Sequence, residues 1–146
     1  MLKRLRRRWA AVRAARRVRR RVRQSDVDID ALLALARQSF VRMQAAWDAA
    51  DLRALEACTT EPLMADLRSQ LALRGHDGNR TEVVTLHAEL LAVEEMREAF
   101  VASVEFSGVI REHVDRGEAP FRELWLLAHA KNAAPGWRIA SVQSLS

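Results

Sequence analysis

The chain of 146 residues has one cysteine, no tyrosine, three prolines and only two lysines, and its first 24 residues contain no acid at all. A lone thiol, Cys58, excludes an internal disulfide and leaves no thiolate set for a structural zinc site. Without tyrosine, the phenolic donor that some cavity enzymes aim at a developing oxyanion is missing. No apolar run approaches the roughly 20 residues needed to cross a bilayer, and the N-terminus lacks the apolar stretch of a secretory signal. The expectation is a protein that is soluble or peripheral to a membrane. Lysine is outnumbered by 22 arginines; with abundant Ala and Leu, this bias reads as a GC-rich coding genome and points to a bacterium.

What is present is divided unevenly. Residues 1–24, MLKRLRRRWAAVRAARRVRRRVRQ, hold 12 positive charges, so the formal net charge of +5 conceals a body of 12 positive against 19 negative charges. A pI near 10.8 therefore describes the arm, and any argument for binding phosphate applies to the arm alone. If the arm is helical, Leu2, Leu5, Trp9 and Val12 fall within about 80° of arc, an apolar stripe with Trp9 suited to a lipid headgroup boundary. Lys3, Arg4, Arg6, Arg7 and Arg8 flank that stripe, and Arg13, Arg16 and Arg17 follow it. Together these twelve residues form the candidate membrane-binding set. From Arg13 onward the arginines lie all round, so the second half of the arm is a cationic rod.

The body, 25–146, has the length and apolar content of one domain. Ser25 and Asp28 stand at capping-box spacing ahead of a stripe of Ile29, Leu32, Leu33, Ala36, Phe40, Met43, Trp47 and Ala50, which predicts a long amphipathic helix. Asp51 is placed to cap a short helix, LRALEAC, and Thr60-Glu61-Pro62 to start a third that ends at Gly75. The period then falls from about 3.6 to 2. TEVVTLHAELLAVEE reads as a strand with a one-residue slip near Leu90, the mark of a bulge. FVASVEFSGVI, PFRELWLLAHA and WRIASVQSL supply three more strands. Helices followed by a meander give an α+β class, with the helices on one face of a curved, four-stranded, mainly antiparallel sheet. The arm ahead of it is expected to be helical or disordered.

Chemistry is hard to find. His87 and Glu89 form H-x-E, but the thiolate pair that accompanies this motif in zinc deaminases is absent, and the plainer reading is a solvated sheet face. Asp48, Asp66 and Glu123 lie in amphipathic segments whose exposed face accounts for them. No serine has a base partner at recognisable spacing, and GHDGN lacks the Lys and Ser/Thr of a phosphate loop. Catalytic residues, metals and cofactors are therefore all expected to be none. Phe40, Trp47, Leu86, Phe106, Trp125 and Leu127 sit at core-periodic positions and form either core or the lining of an apolar pocket.

The ordered segments SFVRMQAAWDAADLRAL, TTEPLMADLRSQL, NRTEVVTLHAELLAVEE, VASVEFSGVIRE, PFRELW and GWRIASVQSL resemble the Tim44-like domain family over about residues 26–146. The resemblance implies a nuclear-transport-factor-two-like, or cystatin-like, cone. It also implies a non-enzymatic, membrane-peripheral binding module with an apolar pocket, as in the mitochondrial inner-membrane subunit that links a chaperone motor to the import translocase. In that member, membrane attachment is ascribed to amphipathic helices at the start of the domain. Many bacterial relatives carry a transmembrane segment and a Gly-rich stretch ahead of the domain; this sequence does not show them.

The resulting expectation is an adaptor on the cytoplasmic side of a bacterial inner membrane, its arm on anionic lipid and its body binding a protein segment or an acyl group, with a link to protein transport. Two alternatives stay open at this point: an RNA- or ribosome-associated protein gripping nucleic acid through the arm, and a cavity enzyme of the same fold. The arm itself is a functional part, a targeting segment or a spurious start.

Overall fold

The computed structural model describes residues 18–23, 27–74, 80–112, 117–132 and 136–145. Along the chain these residues form β1 (Val18–Val22), α1 (Ile29–Ala49), α2 (Leu52–Cys58), α3 (Glu61–Arg74), β2 (Thr81–Met96), β3 (Ala99–Glu112), β4 (Ala119–Ala130) and β5 (Trp137–Ser144). The sheet is antiparallel and runs in the order β1-β2-β3-β4-β5.

Helix starts follow from side-chain caps. Asp28 accepts from the Ala31 amide at 3.0 Å, and Asp51 from the Ala54 amide at 3.1 Å. The first of these corrects the expected capping box: Asp28 is itself the cap, and α1 begins one residue later. At its other end α1 stops on Ala50, a non-glycine residue at φ 53° whose N–H reaches back to the Ala46 and Trp47 carbonyls. Thr59 and Thr60 continue beside β5 through a parallel bridge to Ile139, and the Thr60 amide donates to the Ile139 carbonyl at 2.9 Å. This contact fixes where α3 leaves the sheet.

Leu32, Ala36, Phe40, Met43 and Trp47 of α1, Leu55 of α2 and Leu63, Met64 and Leu67 of α3 share one core with Ala102, Val104, Phe106, Phe121, Trp125, Leu127, Ile139 and Val142 of the sheet. Strand alternation, with a slip in the β4–β5 register at Leu126/Leu127 that lets both Ile139 and Val142 face inward, puts those sheet residues on one face, so the helices cover that face as the periodicities predict. β2 slips register between Leu90 and Ala92, as expected, and also between Val83 and Thr85. At the second slip Gly108, at φ +153°, sits opposite Leu86.

The strand count differs from expectation. Among the described residues the sheet has five strands, because VRRRV at the end of the basic arm pairs with the end of β2: Val18 with Met96, Arg20 with Glu95, Arg21 with Glu94 and Val22 with Val93. Residues 18–22 are thus neither helix nor coil. The cause lies across the sheet: Glu94 and Glu95 offer negative partners to Arg20 and Arg21, and Val22 packs on the core.

Candidate functional site

The expected membrane-binding residues, Leu2 to Val12 with Arg13, Arg16 and Arg17, lie outside the described residues. The structure does show how the arm is joined to the body. Arg20 Nε donates to Glu95 Oε1 at 2.7 Å, and Lys131 Nζ donates to the other oxygen at 2.6 Å. Lys131 foremost, and then Arg20, hold the Glu95 carboxyl far below its usual range, at about 2. One carboxylate thus ties β1, β2 and the residue after β4 together. Lys131 also lies over the Phe100 ring, with its Nζ 5.1 Å from the centroid.

The six residues expected to form core or pocket fall in one place. Phe40 of α1 meets Phe106 at 4.8 Å, Trp125 at 4.9 Å and Phe121 at 5.5 Å between ring centroids, and Phe106 meets Trp125 edge-on at 5.2 Å. Trp47 and Leu127 are buried in the same cluster and Leu86 is half-buried against it. Here the aromatic rings fill the space between α1 and the sheet.

The three acids considered for cavity chemistry are not on exposed faces. Asp48 is half-buried and accepts from the Thr81 amide at 2.7 Å, fastening the start of β2 to the end of α1. Asp66 is half-buried on α3. Glu123 is fully buried, and its Oε1 accepts from Trp125 Nε1 at 2.9 Å. An exposed face does not account for Glu123: alternation along β4 puts Phe121, Glu123, Trp125 and Leu127 on the same inner face. Its structural task is to hold the indole. His87 and Glu89 are exposed, and among the described residues no three His, Cys, Asp or Glu side chains gather as metal ligands. His129 is half-buried with its ring edge-on to Trp137 at 5.4 Å. Burial raises the Cys58 thiol above its ordinary pKa, against a reactive role.

An open cleft of about 630 Å³ lies elsewhere, between α2–α3 and the ends of β3, β4 and β5. Met64, Ala99, Ala128 and Ala130 give it apolar walls, and Glu56, Glu61, Glu98, Arg68 and Arg138 give it a charged rim. Arg68 pairs with Glu56, while Arg138 donates to the Glu56 carbonyl at 3.0 Å and closes the end of α2. Sequence reasoning missed this cleft. Its residues come from separate segments, and the one available signal was that Glu61, Met64 and Arg68 share a helical face beside the buried Leu63 and Leu67.

A family model for the Tim44-like domain matches residues 13–144. The chain belongs to the Tim44-like domain family. The match begins inside the basic arm and includes β1, in keeping with the place of that strand in the sheet. Tim44-like domains are associated with membranes and protein transport and are generally non-catalytic. In this Tim44-like chain no described helix is long and apolar enough to cross a membrane. A comparison with curated proteins gives no match.

Proposed function

We propose that this Tim44-like protein is a non-enzymatic adaptor, peripheral to the cytoplasmic side of a bacterial inner membrane, folded as a nuclear-transport-factor-two-like cone. Residues 1–17 bind anionic lipid, and the body binds a protein segment or an acyl group in the service of protein transport. The observation that carries this reading is the docking of β1. It engages Arg20 on Glu95 and sets Arg21 opposite Glu94, and so separates the arm into a strand held by the body and a preceding stretch with eight positive charges and no acid. Each basic residue near an anionic surface contributes roughly 1 kcal/mol, and the stripe of Leu2, Leu5, Trp9 and Val12 adds apolar contact.

Vesicle co-sedimentation tests the arm. The full chain is expected to pellet with phosphatidylglycerol-containing vesicles, to do so less as salt rises, and to stay in solution with phosphatidylcholine alone. A chain starting at Val18 is expected to remain in solution with both. Equal pelleting of the two chains on anionic vesicles would sink the role of residues 1–17. Arm-dependent binding of RNA without vesicle binding would move the protein to the nucleic-acid reading.

A further inference from the structure

Among the described residues, β1 pairs with the last four residues of β2, Val93–Met96. Among the described residues, no strand lies beside Glu82–Glu89 on the same edge. An unpaired edge presents backbone donors and acceptors to any extended chain that reaches it. A cleft of about 520 Å³ runs along this stretch, between Val41, Gln44 and Ala45 of α1 and the start of β2 through Leu86.

Two features say what would fit. Val41 is 52% exposed and Val84 39% exposed, so the cleft has an apolar lip on both sides. Gln44 is 3% exposed, yet neither its Oε1 nor its Nε2 meets a hydrogen-bond partner among the described residues. Burying a carboxamide with both ends unbonded is costly, and native structures rarely leave it so. A group that needs one donor and one acceptor, set beside an open strand edge, is matched by a peptide unit. Between Thr81 and Leu91 the charged residues are Glu82, already paired with Arg111 at 3.1 Å, and Glu89, so this edge favours neutral side chains with a basic one opposite Glu89.

We propose that the Thr85–Glu89 edge of β2, with Val41, Gln44 and Val84, receives an extended segment of a partner protein as an added strand. An apolar side chain of that segment sits between Val41 and Val84, basic or neutral residues flank it, and one of its backbone amides pairs with the Gln44 carboxamide. The bulge between Val83 and Thr85 limits the pairing to a short run. This rests on the reading of the body as a segment-binding module and names the surface and the backbone conformation it recognises.

The test is amide hydrogen exchange, followed by NMR on the full chain, with a blocked ten-residue peptide of alternating valine and lysine as the probe. Added peptide is expected to slow exchange at Thr85–Glu89 and to shift the Gln44 side-chain amide signals. Gln44→Leu is expected to weaken peptide binding about fivefold to tenfold while raising the melting temperature of the free chain. Val41→Lys, at an exposed position, is expected to weaken binding and leave the melting temperature unchanged. The proposal is overturned if Gln44→Leu binds as the parent does. Equal protection by a leucine–lysine peptide of helical spacing also overturns it, as does self-association of the peptide-free chain through this edge. Protection confined to another part of the body removes this edge but leaves the segment-binding reading intact; no binding anywhere removes both.

Discussion

A Cβ on Gly108 would lie 2.1 Å from the Thr85 carbonyl oxygen, on a backbone at φ +153° that L side chains rarely adopt. Ala50 faces the reverse problem, since it carries a side chain at φ 53° where glycine is easier. Opposite outcomes are expected in thermal melts: Gly108→Ala destabilises by at least about 2 kcal/mol, and Ala50→Gly stabilises by about 0.5–1 kcal/mol. Equal and small shifts for both would refute the backbone argument. At this scale the sequence was partly legible. PFRELW already placed Glu123 between Phe121 and Trp125 on one strand face, and Gln44 stands four residues after Phe40 on the buried stripe. Polarity alone suggests exposure for both residues, whereas burial here is set by position on the element.

Among the elements, α2 follows LRALEAC residue for residue and β2 slips register beside Leu90 as expected, because caps and alternation are local properties of a few neighbouring residues. β1 was not legible. Nothing within VRRRV marks it as a strand; its partners Glu94 and Glu95 lie more than 70 residues away. The link also gives β1 a pH dependence. Glu95 titrates at about 2 in the folded chain against an ordinary 4.5. A lowered folded pKa contributes stability above 4.5, and that contribution is lost as pH falls from 4.5 through 2. Protection of the Arg20–Val22 amides, corrected for intrinsic exchange, is expected to decline across that window. Glu95→Gln should remove the decline and leave protection low throughout; an unchanged profile would contradict the assignment.

For the whole molecule, one aromatic cluster joins the helical layer to the sheet. Phe40 touches Phe106, Phe121 and Trp125, so Phe40→Ala is expected to cost about 3–5 kcal/mol in denaturant unfolding. A loss below about 1 kcal/mol would mean that the layers are held elsewhere. The α+β class was readable because the change of period from helix to strand spans the chain. The cleft beside Met64 and the open edge beside Gln44 were not, since each joins residues that only the tertiary fold brings together. The antiparallel run of β1 along β2 has a mechanical consequence. Val18 pairs with Met96 at the outer end of the β2–β3 hairpin, so the chain before Val18 pulls on the domain from that end. A load directed along the strands would be shared by all the β1–β2 pairs at once. The same load directed across the sheet would part them singly, starting at Val18 and Met96, and β1 would act as a tether whose strength depends on the direction of the pull.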